Sequence, residues 1–341
     1  MKKQLLVLLS VLSFGYQATA QEGIPVYFDY LADNYYLVYP SMAGISPGGK
    51  IRATIRQQWF DVRDAPNLQT LNANFRLGES NSGLGMIIFN DANGYHAQTG
   101  VKLTYAYHLK MGGDGRYLNQ LSFGLSPTYL QSSLDESEFL SPGGVDDPAI
   151  VGSKISEPYY NVDIGMSYSL MEFYAHVAAL NVLSGAERQL YRTGRQDIGN
   201  INFIDNVRRF LFSVGYVFGR NAVQIEPSVL FQLTDFTKEK TIDFNAKVYK
   251  DVDFGRIWGG LSYRRGFDAA VVVQGDSFTE PQLQLITPII GANFKNFMVS
   301  YNYSYQSGDF RVSNGGFHQI TLGYDFGQAE RKYDCYCPAA Q

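Results

Sequence analysis

The segment Gly316–Phe326 alternates with period two: Ile320, Leu322, Tyr324 and Phe326 fall on one face, and Gln319, Thr321, Gly323 and Asp325 on the other. A strand with such faces separates an apolar medium from water. The same pattern recurs along most of the chain behind a secretory leader, which points to a transmembrane β-barrel rather than a soluble sandwich. The expected fold class is therefore all-β: an antiparallel barrel of about fourteen strands with both termini periplasmic, placing the chain in the outer membrane.

The leader is read from Lys2 and Lys3, an apolar stretch from Leu5 to Leu12, and the small residues Ala18 and Ala20 before Gln21. That is the order of a cleaved signal peptide, and the apolar stretch is shorter than the roughly 20 residues a spanning helix needs. Four segments follow: a signal peptide at 1–20, a plug or periplasmic arm at 21–50, the barrel at 51–326 and a periplasmic tail at 327–341. The segment before the barrel does not alternate and is rich in tyrosine, with Tyr27, Tyr30, Tyr35, Tyr36 and Tyr39. A leader that merely fills space against the inner wall is the other reading of it.

Aromatic residues make up 15% of the chain, as 25 Tyr and 23 Phe against 2 Trp. This suits the aromatic girdles of a barrel, while 34 Gly suit an interior in which small side chains leave room. A net charge of −4 without a Lys/Arg block excludes a broad nucleic-acid surface.

Alternation places strands near 51–60, 70–77, 83–90, 96–110, 119–131, 159–170, 173–183, 208–218, 222–234, 241–249, 283–294, 297–306 and 316–326. The stretch 256–274 decides the count. Read as one long strand with a bulge at Gly266 it makes fourteen, and the tight connections at Leu170–Glu172, Gly219–Asn221 and Lys295–Asn296 then share one side. The long segments 133–157 and 184–206 share the other.

Register follows from charge. Along 96–110 the set Gln98, Gly100, Lys102, Thr104, Ala106, His108 and Lys110 faces the lumen, because a lysine in lipid at mid-bilayer costs about 2–4 kcal/mol. Arg52, Thr54, Arg56 and Gln58 likewise face inward, opposite Ile51, Ala53, Ile55 and Trp59. Interior cations come early (Arg52, Arg56, Arg76, Lys102, Lys110) and acids late (Asp163, Glu226, Asp243, Asp325). Two readings follow: a field that orients a polar guest in a pore, or internal ion pairs that fill a partly plugged barrel.

Chemistry is sparse. His96, His108, His176 and His318 are scattered, with no nucleophile elbow or zinc motif, and no enzyme activity or cofactor is expected. Asp146–Asp147 and Asp135–Glu136 lack calcium-loop spacing, so no metal site is assigned. Cys335 and Cys337 lie beyond the last strand, as a local bridge, a pairing tail or inert thiols.

Several motifs in order resemble the PorP/SprF family of type IX secretion system outer-membrane proteins. Tyr39-Pro40-Ser41-Met42-Ala43-Gly44 is similar to that family's Asn-Pro-Ala-Tyr-Ala-Gly element, and Arg56-Gln57-Gln58-Trp59 with Ala65-Pro66 to its first hairpin. Leu121–Leu125, Asp147-Pro148, Trp258–Arg264 and Gly316-Phe317-His318-Gln319-Ile320 follow in the family's order. The residues carrying the resemblance are thus Pro40, Ala43, Gly44, Arg56, Trp59, Pro66, Trp258, Arg264 and His318. The resemblance implies a non-enzymatic barrel that helps particular type IX cargo proteins reach or stay on the cell surface, in some members within gliding motility. Its implied partners are the cargo's C-terminal domain at the surface loops, type IX machinery on the periplasmic side, and outer-membrane lipid. Phe139, Tyr191 and Arg192 are the candidate cargo anchors, because aromatic and arginine side chains dominate binding hot spots. A diffusion porin or solute transporter is the alternative that the polar lumen suggests.

Overall fold

The computed structural model describes residues 34–59, 62–112, 117–137, 139, 152–183, 208–219, 223–235, 238–267, 272–274, 277–279, 283–307 and 316–327. The leader, Asp146-Asp147-Pro148, Tyr191, Arg192, Cys335 and Cys337 lie outside these residues. The chain builds Gly49–Gln58 (β1), Asn67–Arg76 (β2), Ser82–Asn93 (β3), His96–Lys110 (β4), Asn119–Asp135 (β5) and Lys154–Leu170 (β6). Phe173–Leu180 (β7), Arg209–Tyr216 (β8), Val223–Thr234 (β9), Lys240–Val252 (β10) and Gly255–Gly266 (β11) continue the wall. Val272–Gln274 (β12) and Ser277–Thr279 (β13) precede Gln284–Phe294 (β14), Phe297–Ser307 (β15) and Phe317–Phe326 (β16).

Fourteen of these strands pair antiparallel with their sequence neighbours and close into a barrel between β1 and β16, with Gly49 opposite Phe326 and Gln58 opposite Phe317. Because the number is even, the barrel's first and last residues meet at one rim. The connections 77–81, 111–118, 171–172, 217–222, 253–254 and 295–296 share that rim. The opposite rim carries the longer connections, among them 136–153 and 181–208.

The stretch 256–274 is not one bulged strand. The wall strand ends at Gly266, which pairs with Thr241 and donates its N–H to the Leu283 carbonyl at 2.8 Å, while β12 and β13 form a separate two-stranded sheet. The first strand also stops short of its expected end. Trp59 turns out of β1 with φ 44°, so it is no outward strand residue, and its ring lies 6.0 Å from Phe317. The strands that project furthest are β5 and β6, of 17 residues each, about 56 Å of extended chain at 3.3 Å per residue. Even tilted, they outrun a hydrocarbon core of about 30 Å at the loop-bearing rim.

Burial inverts the pattern of a soluble protein. Ile55, Leu103 and Ile290 are 56%, 55% and 65% exposed on the outer wall, whereas Arg56, Asn302 and Ser304 are buried inside. Such a wall is stable only with lipid outside, since no other solvent would take that apolar surface, and closure leaves no strand edge unpaired. No described helix is long and apolar enough to cross a membrane; the crossings here are made by strands.

Candidate functional site

The interior is occupied by the chain itself. Residues 34–48 run inside the barrel through two single-turn 3-10 helices, Tyr35–Leu37 and Pro40–Met42, and Tyr36, Leu37, Val38, Tyr39, Met42, Ala43 and Ile45 are buried. The seat of this plug is written into the register. Gly83, Ala106, Gly124, Gly165 and Ala178 are successive cross-strand partners on β3 to β7, so five inward positions in one row carry a side chain no larger than a methyl. A Cβ on Gly124 would lie 2.2 Å from the Pro40 carbonyl carbon, and one on Gly83 2.1 Å from the Ala43 oxygen. Backbone therefore packs on backbone, an approach that only the missing side chains permit.

Hydrogen bonds then pin the plug along its length. The Gly44 N–H donates to Asn74 Oδ1 at 3.0 Å, and Arg76 donates to the carbonyls of Gly44 and Ile45 at 2.9 and 2.6 Å. His108 Nε2–H donates to the Ala43 carbonyl at 2.9 Å while its Nδ1 meets Ser122 Oγ at 2.9 Å. Tyr36 donates to Thr104 at 2.8 Å, and burial pushes the Tyr36 and Tyr39 phenols far above the ordinary tyrosine range, so both stay neutral. Gly44 holds φ 64°, and a Cβ there would strike the Phe75 carbonyl oxygen at 2.5 Å. Pro40, Ala43 and Gly44, singled out in the sequence, thus meet in this one contact.

Ser167 and His176 face each other across the β6–β7 hairpin with Oγ and Nδ1 2.8 Å apart, and Ser41 of the plug is 2.6 Å from Ser167. Scattered histidines gave no sign of this pairing, because only the register creates it. The rings of Tyr35, Tyr39 and Tyr174 cover His176 within 5.4 Å. The arrangement holds the plug rather than presenting a nucleophile to a substrate, since a catalytic pair needs room for a reacting atom beside it.

A second network ties the plug to the far wall. The Glu226 carboxylate, wholly buried, accepts from Tyr35 at 3.1 Å, Tyr174 at 2.5 Å and Tyr249 at 2.5 Å. Lys247 lies 3.9 Å from that carboxylate, donates to Tyr249 Oη at 2.7 Å, and sits 5.1 Å from the Trp258 ring centre. Other interior charges are paired too: Arg52 with Asp325 and Lys102 with Asp163 at 2.6 Å, and Arg264 with Asp243 through two bonds of 2.7 Å. The internal-pairing reading of the lumen charges is the one this geometry favours over a field across an open pore.

The remaining singled-out residues do not join one site. Arg56 lies over Phe317 at 5.2 Å near the loop-bearing rim, and the Pro66 carbonyl accepts from the Gln58 N–H at 2.9 Å. Trp258 faces the lumen and donates its indole N–H to Asn293 at 2.9 Å. His318 points outward, bonded to Tyr301 at 2.7 Å. Phe139 stacks edge-on against Tyr95, ring centres 4.5 Å apart, at the loop-bearing rim. Asp135 is engaged by Ser137, and among the described residues no cluster of three metal-ligating side chains forms.

The model of the family described as type IX secretion system membrane protein PorP/SprF matches residues 19–324. The chain belongs to that family. This is a family of secretion-system membrane barrels and not a known enzyme family. A search of curated proteins finds no match. Among solved structures, OmpF of Salmonella typhi in complex with daunomycin aligns at 12% identity over 82% of this chain and 97% of its own, with a TM-score of 0.36. CdiB from Escherichia coli and from Acinetobacter baumannii align at 9% and 7% identity over 82% of this chain, each with a TM-score of 0.34. This chain covers 63% and 60% of those two proteins. The match to PorP/SprF spans the plug as well as the wall, so both are features of the matched region.

Proposed function

We propose that this PorP/SprF protein is an outer-membrane barrel that supports the secretion or surface anchoring of particular type IX cargo proteins, gliding adhesins among the candidate cargo, and does not serve as a general diffusion pore. The observation that carries the reading is the plug, seated on a glycine row and bound to both sides of the lumen inside a barrel of a secretion-system family. A porin needs a continuous aqueous path, and in this lumen the buried residues 34–48 take up space and are bonded to opposite walls.

The rim with both barrel ends and the short turns is assigned to the periplasm, as short turns lie on that side of such barrels. It would meet the secretion machinery. The loop-bearing rim would meet the cargo's C-terminal domain, with Phe139 braced by Tyr95 as one anchor and Tyr191 and Arg192 as the proposed others.

Affinity purification from outer membranes in mild detergent, with mass spectrometry of bound proteins and conductance in a planar bilayer, tests this. A stoichiometric secreted protein held through its C-terminal domain, with little conductance, is expected. Deleting residues 184–206 is expected to release that protein without preventing barrel assembly. A barrel recovered alone and conducting freely would overturn the proposal in favour of a porin.

A further inference from the structure

The outer wall is charged unevenly along its loop-bearing rim. From β14 round to β5 the outward positions near that rim include Gln284, Tyr305, Gln57, Gln69, Asn90 and Gln131, none of them a cation. Lys154 on β6 stands opposite Asp135. The sector from β8 to β11 differs. Arg208, Lys238, Lys240 and Arg265 gather at its loop ends against Asp235 and Glu239, which leaves two more cations than acids among the described residues. Asp235 is already met by Lys238 at 3.0 Å and by Arg208 at 3.7 Å, so the sector's two remaining cations, Lys240 and Arg265, lie clear of it further round the barrel.

Alternation fixes where these two point. Asp243 and Lys247 on β10, and Ser262 and Arg264 on β11, are buried in the lumen, so Lys240 and Arg265, both exposed, face outward. Lys240 lies opposite Phe267, whose N–H donates to the Lys240 carbonyl at 2.9 Å, and Arg265 pairs with Ile242. The two cations are therefore diagonal neighbours on one face, about 7–8 Å apart at the backbone. A phosphate set between two such long side chains is in reach of both, and the planar guanidinium can hold it through two bonds. Their surroundings are apolar. Lys240 is in register with Leu233 and Phe210, and the next outward pair below Arg265 is Phe244 with Tyr263. Phe210, Phe212 and Phe244 are exposed on the wall, a surface for acyl chains directly beneath the cations. Cations that project sideways over such a belt meet lipid headgroups, whereas a protein seated on the loops would lie above them.

We propose that the β8–β11 sector binds a phosphate-bearing glycolipid of the outer leaflet, with a phosphate between Lys240 and Arg265 and acyl chains along Phe210, Phe212 and Phe244. This goes beyond the cargo role, and a barrel purified without cargo still binds the lipid. It rests on the assignment of the loop-bearing rim to the cell surface, the side on which that leaflet lies.

The full-length barrel, purified in mild detergent and freed of lipid, is titrated with lipid A, with lipid A stripped of its phosphates, and with phosphatidylglycerol, and bound lipid is counted by native mass spectrometry. Lipid A is expected to bind saturably and at least about tenfold more tightly than either of the others. Lys240→Gln combined with Arg265→Gln is expected to weaken it about thirtyfold, each cation beside an anionic lipid surface being worth about fivefold. The charge-preserving pair Lys240→Arg with Arg265→Lys should bind as the native protein does, and so should Lys250→Gln, which removes an exposed cation from the other end of β10. Heat-modifiable migration on gels confirms that each variant is folded. Equal binding of lipid A with and without phosphates, phosphatidylglycerol binding as tightly as lipid A, or unchanged binding by the glutamine pair would each overturn the proposal. Labelling of Lys238→Cys in intact cells with a membrane-impermeant maleimide reads the rim separately: labelling beside failed lipid binding overturns this proposal alone, and no labelling overturns the rim assignment with it.

Discussion

Gly124 is where one methyl group should do most damage. In Gly124→Ala the new carbon would sit 2.2 Å from the Pro40 carbonyl carbon and 2.3 Å from the Ser41 nitrogen, whereas unstrained heavy-atom contacts lie near about 3.5–4.0 Å. Neither side can yield by swinging a flexible side chain. The wall is held by Gly124's ladder partners Ala106 and Gly165, so the plug must lift by roughly 1 Å or more. That shift stretches the 2.6 Å contact of Ser41 with Ser167 and the 2.9 Å bond from His108 to Ala43 beyond useful length. Two lost bonds at about 0.5–1.5 kcal/mol each, with about 1–3 kcal/mol for the overpacked contact, give on the order of 2–6 kcal/mol against docking. The strand ladders are untouched, so the barrel should still assemble. The readout is chymotrypsin, which cleaves after tyrosine: Tyr35 and Tyr36 are protected in the native protein and become cleavable in the variant, with a parallel rise in bilayer conductance. Gly259→Ala, whose Cβ meets only the Ile289 carbonyl oxygen at 3.3 Å, is the control and should do neither. Full protection and unchanged conductance in Gly124→Ala would refute the claim that the glycine row seats the plug.

Further substitutions test the wall. Glu226→Gln leaves Lys247, 1% exposed, without its buried counter-charge, and should cost about 3–5 kcal/mol in urea unfolding from lipid vesicles. The pair Glu226→Gln with Lys247→Met should recover most of that loss. Arg264→Ala strands Asp243 in the same way and should cost a similar amount, while Arg264→Lys, keeping charge without the two-pronged geometry, should cost less. Leu103→Arg places a cation on the lipid face and should cost about 2–4 kcal/mol in the same assay; no change would mean that the faces of β4 are assigned the wrong way round.

The wall was legible in the sequence because lipid and water impose a period of two on every strand, and one lysine in lipid is enough to exclude the wrong register. Lys102 and His108 turn inward as that argument requires, and Leu103 and Tyr105 outward. Legibility failed where a strand-like run has no place in the wall. Val272, Val273 and Phe278 have strand composition, yet whether such residues extend β11 or fold back on themselves depends on the partner offered. Gly266 already has both of its partners in Thr241 and the Leu283 carbonyl. Composition alone cannot carry that information.

The seat of the plug was illegible for a deeper reason. Gly83, Ala106, Gly124, Gly165 and Ala178 are unremarkable one at a time, and nothing local says that they share a row. Once the fourteen-strand register is fixed they become neighbours, and the signal is then plain: five small inward residues side by side across a wall that otherwise fills its lumen with Arg, Gln, Asn and Thr. The charges follow the same logic. Early cations and late acids suggest a field across the lumen when the chain is drawn as a line. Closing the line into a ring sets Arg52 on β1 beside Asp325 on β16, and hairpin register sets Asp243 against Arg264 and Glu226 against Lys247. Closure thus turns an apparent dipole into local pairs, and charges that a pore would use to attract a guest instead tie strand to strand, with Glu226 also bound to the plug through Tyr35.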